Sequence, residues 1–485
     1  MKKLIFLFAV VFSAECALSQ TVEYSNTFCF SGSGNNIEHV TALEKAQDGG
    51  YYIGTNEGSI GFIYKYDISN SLSWIYEWNN GSINHSIAHI VEGSDGLYMV
   101  GTELMTSDIN GFADQLVIKK ISLNGDSVVW QAVVGNGDES SQGAWSVVLE
   151  NNNTLLIGSS SSDDTGLFSQ THGYFEGLVM VISAEDGYLI ESRTLGGSMS
   201  DRITGFFEDA DGYIAVGSTN SNDYDFAGMQ GDKLFVTSLN SDLQTSNMSL
   251  SSITEGYVRK TIQVKHERIL YASVGMKNML GYIVVADASG IVWERSFGTE
   301  AHLFQNIIAT NDGGFIAVGY AFDIFDSYEN ETGLMVKFSA TGDMVWSQYF
   351  GAGHTGEHTE IKSVVELFPG EYLVGGTTTT TLFECDSVVS YDGWVVRLTE
   401  TPQVVTGIQD NSVQGIVVFP NPVIDGVLTV SSPKNSHIRI HDLYNPERVV
   451  FERDVEKGET LVHIEASPGI YLLTDGSSCF KIILQ

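Results

Sequence analysis

The stretch TVEYSNTFCF, residues 21–30, sets aromatic and β-branched residues among polar ones and reads as a β-strand. No neighbouring stretch looks like its partner. Where this strand pairs decides the fold of most of the chain, and the answer lies in what repeats downstream. An apolar strand, a turn and a second strand ending in glycine recur as ALEKAQDGGYYIG, IVEGSDGLYMVG, VLENNNTLLIG, FFEDADGYIAVG, VKHERILYASVG, IATNDGGFIAVG and VELFPGEYLVGG. The terminal glycines, Gly54, Gly101, Gly158, Gly217, Gly275, Gly319 and Gly375, are spaced by 47, 57, 59, 58, 44 and 56 residues. Periods of this size belong to propellers or solenoids.

After each glycine comes a variable polar loop, a third strand such as LVIKKIS, LMVKFSA or WVVRLTE, and a turn. A fourth strand follows, clearest as DSVVWQAVVG, GIVWERSFG and DMVWSQYFG. Four short strands per unit with no helical period between them match a β-propeller blade. The seventh unit stops after its third strand, Trp394–Leu398, and is one strand short. Tyr24-Ser-Asn-Thr-Phe28 aligns with the fourth strand Trp346-Ser-Gln-Tyr-Phe350, so the leading strand fills that vacancy. The expectation is an all-β chain: a seven-bladed β-propeller over residues 20–400, closed by its N-terminal strand because an open edge would leave backbone donors and acceptors unpaired. Closure brings Cys29, at the end of the fourth strand of blade seven, to the same face as Cys385 in that blade's second-to-third-strand loop. The two either form a disulfide stapling the closure or remain thiols.

The ends and the composition bound the rest. Residues 1–19 carry Lys2 and Lys3, the apolar run Leu4–Phe12 and small residues up to Ser19, the order of a secretory signal peptide and too short to span a bilayer. No other apolar run approaches membrane-spanning length. The 24 basic and 60 acidic side chains give a net charge of −36. Such a chain repels nucleic-acid phosphates and anionic lipid. Few cysteines exclude a disulfide scaffold. Only Pro369 precedes residue 400 whereas six prolines follow it, and all seven tryptophans precede it, so a compositional boundary falls near Thr401-Pro402. Residues 401–410 then read as a linker and 411–485 as a second domain.

That domain contains IVVFPNPVIDGVLTV at 416–430, IRIHDLYN at 438–445 and SPGIYLLTDGSSCFKIILQ at 467–485, alternating strands of a small β-sandwich. The order FPNPV, IRIHDL, GIYLL and a final lysine with an aliphatic tail resembles the C-terminal sorting domain of type IX secretion substrates, over about residues 408–485. The resemblance implies that Phe419, Pro420, Asn421, Pro422, Gly469, Tyr471 and Lys481 are the motif positions. It also implies that the partner is the type IX secretion machinery of an outer membrane, and that the destination is the outer cell surface or the medium. The repeat array resembles those of secreted bacterial seven-bladed proteins, and TGDMVW resembles the Thr-Gly…Trp blade motif of quinoprotein-type propellers.

No catalytic signature stands out. GAGHTG at 351–356 fits a dinucleotide-binding loop in spacing, but a strand follows where a helix N-terminus is needed to hold the pyrophosphate. His354-Thr-Gly-Glu-His358 has the spacing of a zinc-peptidase helix but contains a glycine and lies between strands. His85 and His89, on one face of a strand by alternation, would stand about 13–14 Å apart at ~3.4 Å per residue, too far for one metal. Asp209-Ala-Asp211-Gly212 occupies a hairpin turn. No arginine cluster or acid pair can be singled out, and no GxSxG elbow is present. The acidic second-to-third-strand loops SSSSDDTGLFSQTHG, TNSNDYDFAGMQGD and AFDIFDSYENETG are where a ligand or Ca²⁺ is expected; no other cofactor is. The functional expectation is an exported binding or adhesion module for a glycan or protein. The alternative is a secreted hydrolase or lyase with its site on one propeller face. Acids gathered with His or Arg around the central channel mark the enzyme; a flat aromatic or acidic rim marks the binder.

Overall fold

The structure is a computed structural model. It describes residues 22–484 apart from 31–37, 79–84, 108–110, 135–140, 162–171, 174, 229–230, 253–255, 266–267, 288, 299–300, 323–330, 352–357, 380–390, 401–416, 420–425, 433, 443–444, 465, 467–468 and 475–478. These residues fall into two units, Val22–Glu400 and 417–484. The described residues contain no α-helix, and none is long and apolar enough to cross a membrane.

In the larger unit each sequence repeat folds as its own antiparallel sheet of four strands. The described sheets span 38–78, 85–134, 141–195, 201–252, 256–297, 301–350 and 359–400, here sheets one to seven. The last of these contributes only three strands from its own stretch. Its fourth is Val22–Phe30, which runs antiparallel to Asp392–Glu400 with Tyr24 opposite Leu398 and Cys29 opposite Trp394. The opening stretch therefore pairs where the strand count requires. Its alignment differs from expectation by two residues at its end, where Phe30, not Phe28, faces Gly393 as Phe350 faces Gly333, and by one before a bulge between Ser25 and Thr27, where Ser25, not Tyr24, faces Arg397. The bulge adds one residue to this strand, which accounts for the change of offset along it.

The innermost, first strand of each sheet touches the first strand of the next, and the first strand of sheet one, Glu38–Lys45, touches that of sheet seven, Thr359–Phe368. Hydrophobic clusters fill each of these junctions. Val40, Tyr51 and Ile53 packing with Leu367, Leu373 and Val395 join the last sheet to the first. Fully burying such a side chain contributes roughly 1.5–3 kcal/mol. The tryptophans of the outer strands lock neighbours together. Trp74, Trp130 and Trp293 each lie on a glycine of the next sheet's third-to-fourth-strand turn, Gly125, Gly187 and Gly342, where an added Cβ would sit 2.5, 2.6 and 2.7 Å from the indole. Sheet seven has no such turn. Trp346 of sheet six instead donates its indole N–H to Glu400 at 2.9 Å.

The glycine that ends the second strand of each repeat has a different cause. In all seven sheets the first strand carries a bulge opposite the second strand. Gly101 pairs with Ile87 at its bulge, and an added Cβ would lie 1.9 Å from the Ser86 carbonyl oxygen. The glycine admits a backbone bend that pushes one extra residue inward.

In the smaller unit, Val417–Phe419, Val427–Ser432 and Gly458–His463 form one sheet, and Asn445–Val455, Ser436–Asp442, Gly469–Thr474 and Cys479–Leu484 another. Leu428, Val430 and Val462 from the first share a core with Ile438, Ile440, Tyr471, Leu473 and Ile482 from the second.

Candidate functional site

The bulges build the site. The extra residues they insert include Thr41, Ala88, Trp145, Thr204, Arg259, Gln305 and Lys362, one from each sheet. All but Thr204 line one cavity of about 430 Å³, together with their strand neighbours. Thr204 is buried instead, with its hydroxyl 2.8 Å from that of Thr261.

Deep in the cavity a polar thread crosses sheets one, five, two and three. Glu44 lies near Lys260, whose ammonium donates to His89 Nδ1 at 3.4 Å; His89 Nε2 reaches the Ala144 carbonyl at 2.8 Å. The neutral Nε2–H tautomer satisfies both contacts. Burial, then the charge of Lys260, pulls the His89 pKa down to about 3. Burial, aided by the charge of Glu92 and opposed by Lys260, pushes the Glu44 carboxyl up to about 8. Burial pulls the Lys260 ammonium down to about 8 against the attraction of Glu44.

Toward the starts of the first strands two lining residues, Gln305 and Lys362, join a further polar group that is not itself part of the lining. Glu360 accepts from Gln305 and lies 3.4 Å from Lys362. His39 bonds to the Thr377 hydroxyl at 2.7 Å, its pKa lowered to about 4 by burial and then by Lys362. His358 lies 3.6 Å from Glu331, whose carboxyl is raised chiefly by burial. The guanidinium groups of Arg202 and Arg259 lie 5.4 and 5.8 Å from the Trp145 ring and 5.8 and 5.1 Å from the Tyr257 ring, and of these four residues Arg259 and Trp145 line the cavity. The first strands of sheets three and five touch directly, which lets Trp145 and Arg259 meet past sheet four.

Few of the residues singled out in the sequence belong to this cavity. His89 does, but the bulge at Ala88 breaks the alternation that would have put His85 and His89 on one face. Asp209 pairs with Gly212 across the expected hairpin turn. After GAGHTG the chain forms the strand Thr359–Phe368, not a helix, and of the HxxEH histidines only His358 is described. In the loop 219–232, Asp223 accepts the Ser198 N–H and Asp225 the Gly196 N–H, so both carboxylates brace a neighbouring turn. The other two acidic loops lie largely outside the described residues. Among the described residues no group of three or more His, Cys, Asp or Glu side chains could hold a metal ion. Cys385, Pro420, Asn421 and Pro422 also lie outside them; Cys29, Phe419, Gly469 and Lys481 are placed in strands by their backbone, and Tyr471 is buried in the smaller core.

The arginines were missed. Their signal was positional: Arg202 precedes Gly217 by 15 residues and Arg259 precedes Gly275 by 16, nearly equivalent places in adjoining repeats.

No protein-family model and no curated protein matches the chain. Solved structures similar to it include an ACO/RPE65 chimera, 10% identical with a TM-score of 0.33, covering 52% of this chain and 59% of that one. Another is a glucose dehydrogenase, 10% identical with a TM-score of 0.36, covering 61% of this chain and 95% of that one. The chain thus spans about three fifths of the first of these structures. Likeness of this degree says nothing about chemistry.

Proposed function

We propose that residues 22–400 form a closed seven-bladed β-propeller whose central cavity binds a glycan or a protein segment. The protein is exported, and residues 411–485 act as a type IX sorting domain that delivers it to the cell surface or beyond. The observation that carries the binding reading is the convergence of the bulge residues: one backbone device, repeated sheet by sheet, delivers side chains of six sheets to one concavity. The cavity sets a few polar side chains, among them Glu44, His89, Arg259 and Lys260, in a wall of aliphatic ones, as expected of a ligand site. Signal-like residues 1–19 and the FPNPV…IRIHDL…GIYLL order support the delivery route.

A glycan and peptide array probed with the full chain tests the binding reading. Wild type gives saturable hits, and filling the cavity with Ala88→Trp or Thr41→Trp removes them; hits that survive both substitutions overturn it. Fusing residues 408–485 to a reporter tests delivery, which fails if the reporter stays in the periplasm. Calcium in the acidic loops is tested by chelation, which then lowers the melting temperature.

Two observations favour the rival hydrolase or lyase: Glu44 gathers with His89 and Arg259 in one cavity, the arrangement that marks an enzyme, and Glu44 and Lys260 both titrate near neutrality there, where an acid or base would be needed. Turnover of a polysaccharide that is lost in Lys260→Met while binding persists would establish it.

A further inference from the structure

We propose that Arg259, which lines the cavity beside Trp145, and Arg202, which adjoins it at the Trp145 and Tyr257 rings, form a receptor for one oxyanion, a carboxylate or sulfate carried on a saccharide bound in the cavity. The inference rests on the reading of that cavity as a binding site and names the chemistry of what it takes.

Three observations point there. First, acids outnumber bases by 60 to 24 in this chain, so an arginine ordinarily finds a carboxylate. Arg193, Arg268 and Arg397 do so, on Asp225, Asp287 and Glu371. Arg202 and Arg259 have no carboxylate partner among the described residues and lie close enough for the charge of Arg259 to oppose that of Arg202. Like charges side by side are unfavourable unless an anion between them relieves the repulsion.

Second, among the described residues the buried Arg259 Nε finds no acceptor, and the guanidinium's one hydrogen bond is a long 3.5 Å contact to the Tyr257 hydroxyl. A buried donor left unmade costs roughly 1–3 kcal/mol. Third, the flanking rings hold both guanidinium groups half-buried, where a planar fork meets an oxyanion through paired hydrogen bonds that water screens weakly.

The shape and charge of the protein narrow the ligand. A cavity of about 430 Å³ takes a sugar of one or two rings, not a protein surface. The net charge of −36 disfavours a polyanion, so the ligand carries its charge singly.

Isothermal titration of the full chain at constant ionic strength tests this, with glucuronate, glucose 6-sulfate, glucose and N-acetylglutamate as probes. At least one of the two charged sugars binds, and the stronger identifies the oxyanion; glucose binds more weakly. Arg202→Gln and Arg259→Gln each reduce the charged sugar's affinity at least tenfold and so narrow or abolish its advantage over glucose. Arg259→Lys, which keeps the charge but not the fork, recovers only part. Circular dichroism and melting temperature confirm that each variant is folded. Equal binding of charged and neutral sugars, charged-sugar binding indifferent to both substitutions, or preference for N-acetylglutamate overturns the proposal. If array hits are lost in Ala88→Trp yet unaffected by either arginine variant, the oxyanion receptor fails while the cavity reading stands; if Ala88→Trp changes nothing, the cavity reading itself fails.

Discussion

At the scale of single residues, the same type can carry opposite burdens. Gly101→Ala would push a Cβ to 1.9 Å from the Ser86 carbonyl oxygen, backbone against backbone, so the bulge must move. The expected cost is about 2–4 kcal/mol of unfolding free energy. Gly313→Ala meets nothing within 4 Å and strains only a turn at φ +83°, at an expected cost of about 1–2 kcal/mol. Urea denaturation of the two variants checks the contrast. The imidazole of His89 carries a pH signature. Its pKa is near 3 when folded and near 6.5 unfolded, so below pH 6.5 the unfolded chain takes up a proton that the folded chain refuses. Stability is lost as pH falls from 6.5 toward 3, and His89→Gln should weaken that fall by up to about 1.4 kcal/mol per pH unit. Equal slopes between pH 6.5 and 4 would mean that the folded imidazole protonates freely. The glycines were legible in the sequence as a period, but their reason was not. The bulge they permit shifts alternation by one, so no reading of strand periodicity could say that Arg259, Gln305 and Lys362 point inward.

At the scale of elements, the junction between sheets six and seven shows how a repeat copes with its own interruption. At three other junctions an outer tryptophan lies on a turn glycine of the next sheet; here the third strand ends the unit, and Glu400 takes the glycine's place. Its carboxylate accepts from Lys337 at 2.8 Å, from the Trp346 indole at 2.9 Å and from the Tyr372 hydroxyl at 3.1 Å. Lys337 is buried and also reaches Asp312 at 2.7 Å. Glu400→Ala orphans the indole N–H and leaves Lys337 with one exposed carboxylate and a 3.4 Å contact to the Tyr372 hydroxyl, so a loss of about 2–4 kcal/mol is expected. A double-mutant cycle with Lys337→Met should return a coupling of at least ~1 kcal/mol; a coupling of zero would show that the contact is incidental. The sequence showed that the fourth strand was missing, but not what replaced its turn, because the replacement is a side chain reaching between units.

At the scale of the whole molecule, the pairing of the first described strand with the last of the larger unit ties two regions about 370 residues apart. Strand counting alone made that pairing legible, since a deficit at one end matched a surplus at the other. The site was not legible, because it is assembled across sheets by residues that no local pattern connects. Deleting residues through 30 tests how far the tie matters. In an open array the loss would stay local, and sheets two to six would melt as before. In a closed arrangement the Asp392–Glu400 edge is exposed, the junction of sheet seven with sheet one loses its outer support, and the deficit is shared by all. The strand's ladder of backbone hydrogen bonds, at roughly 0.5–1.5 kcal/mol each, amounts to a large part of a typical total stability of ~5–15 kcal/mol. The truncated chain is therefore expected to lose its single cooperative transition, or to associate through the open edge. A synthetic peptide of residues 20–30 added in trans should restore it. Hydrogen exchange that stays native-like in sheets three to five of the truncated chain would instead identify an open array.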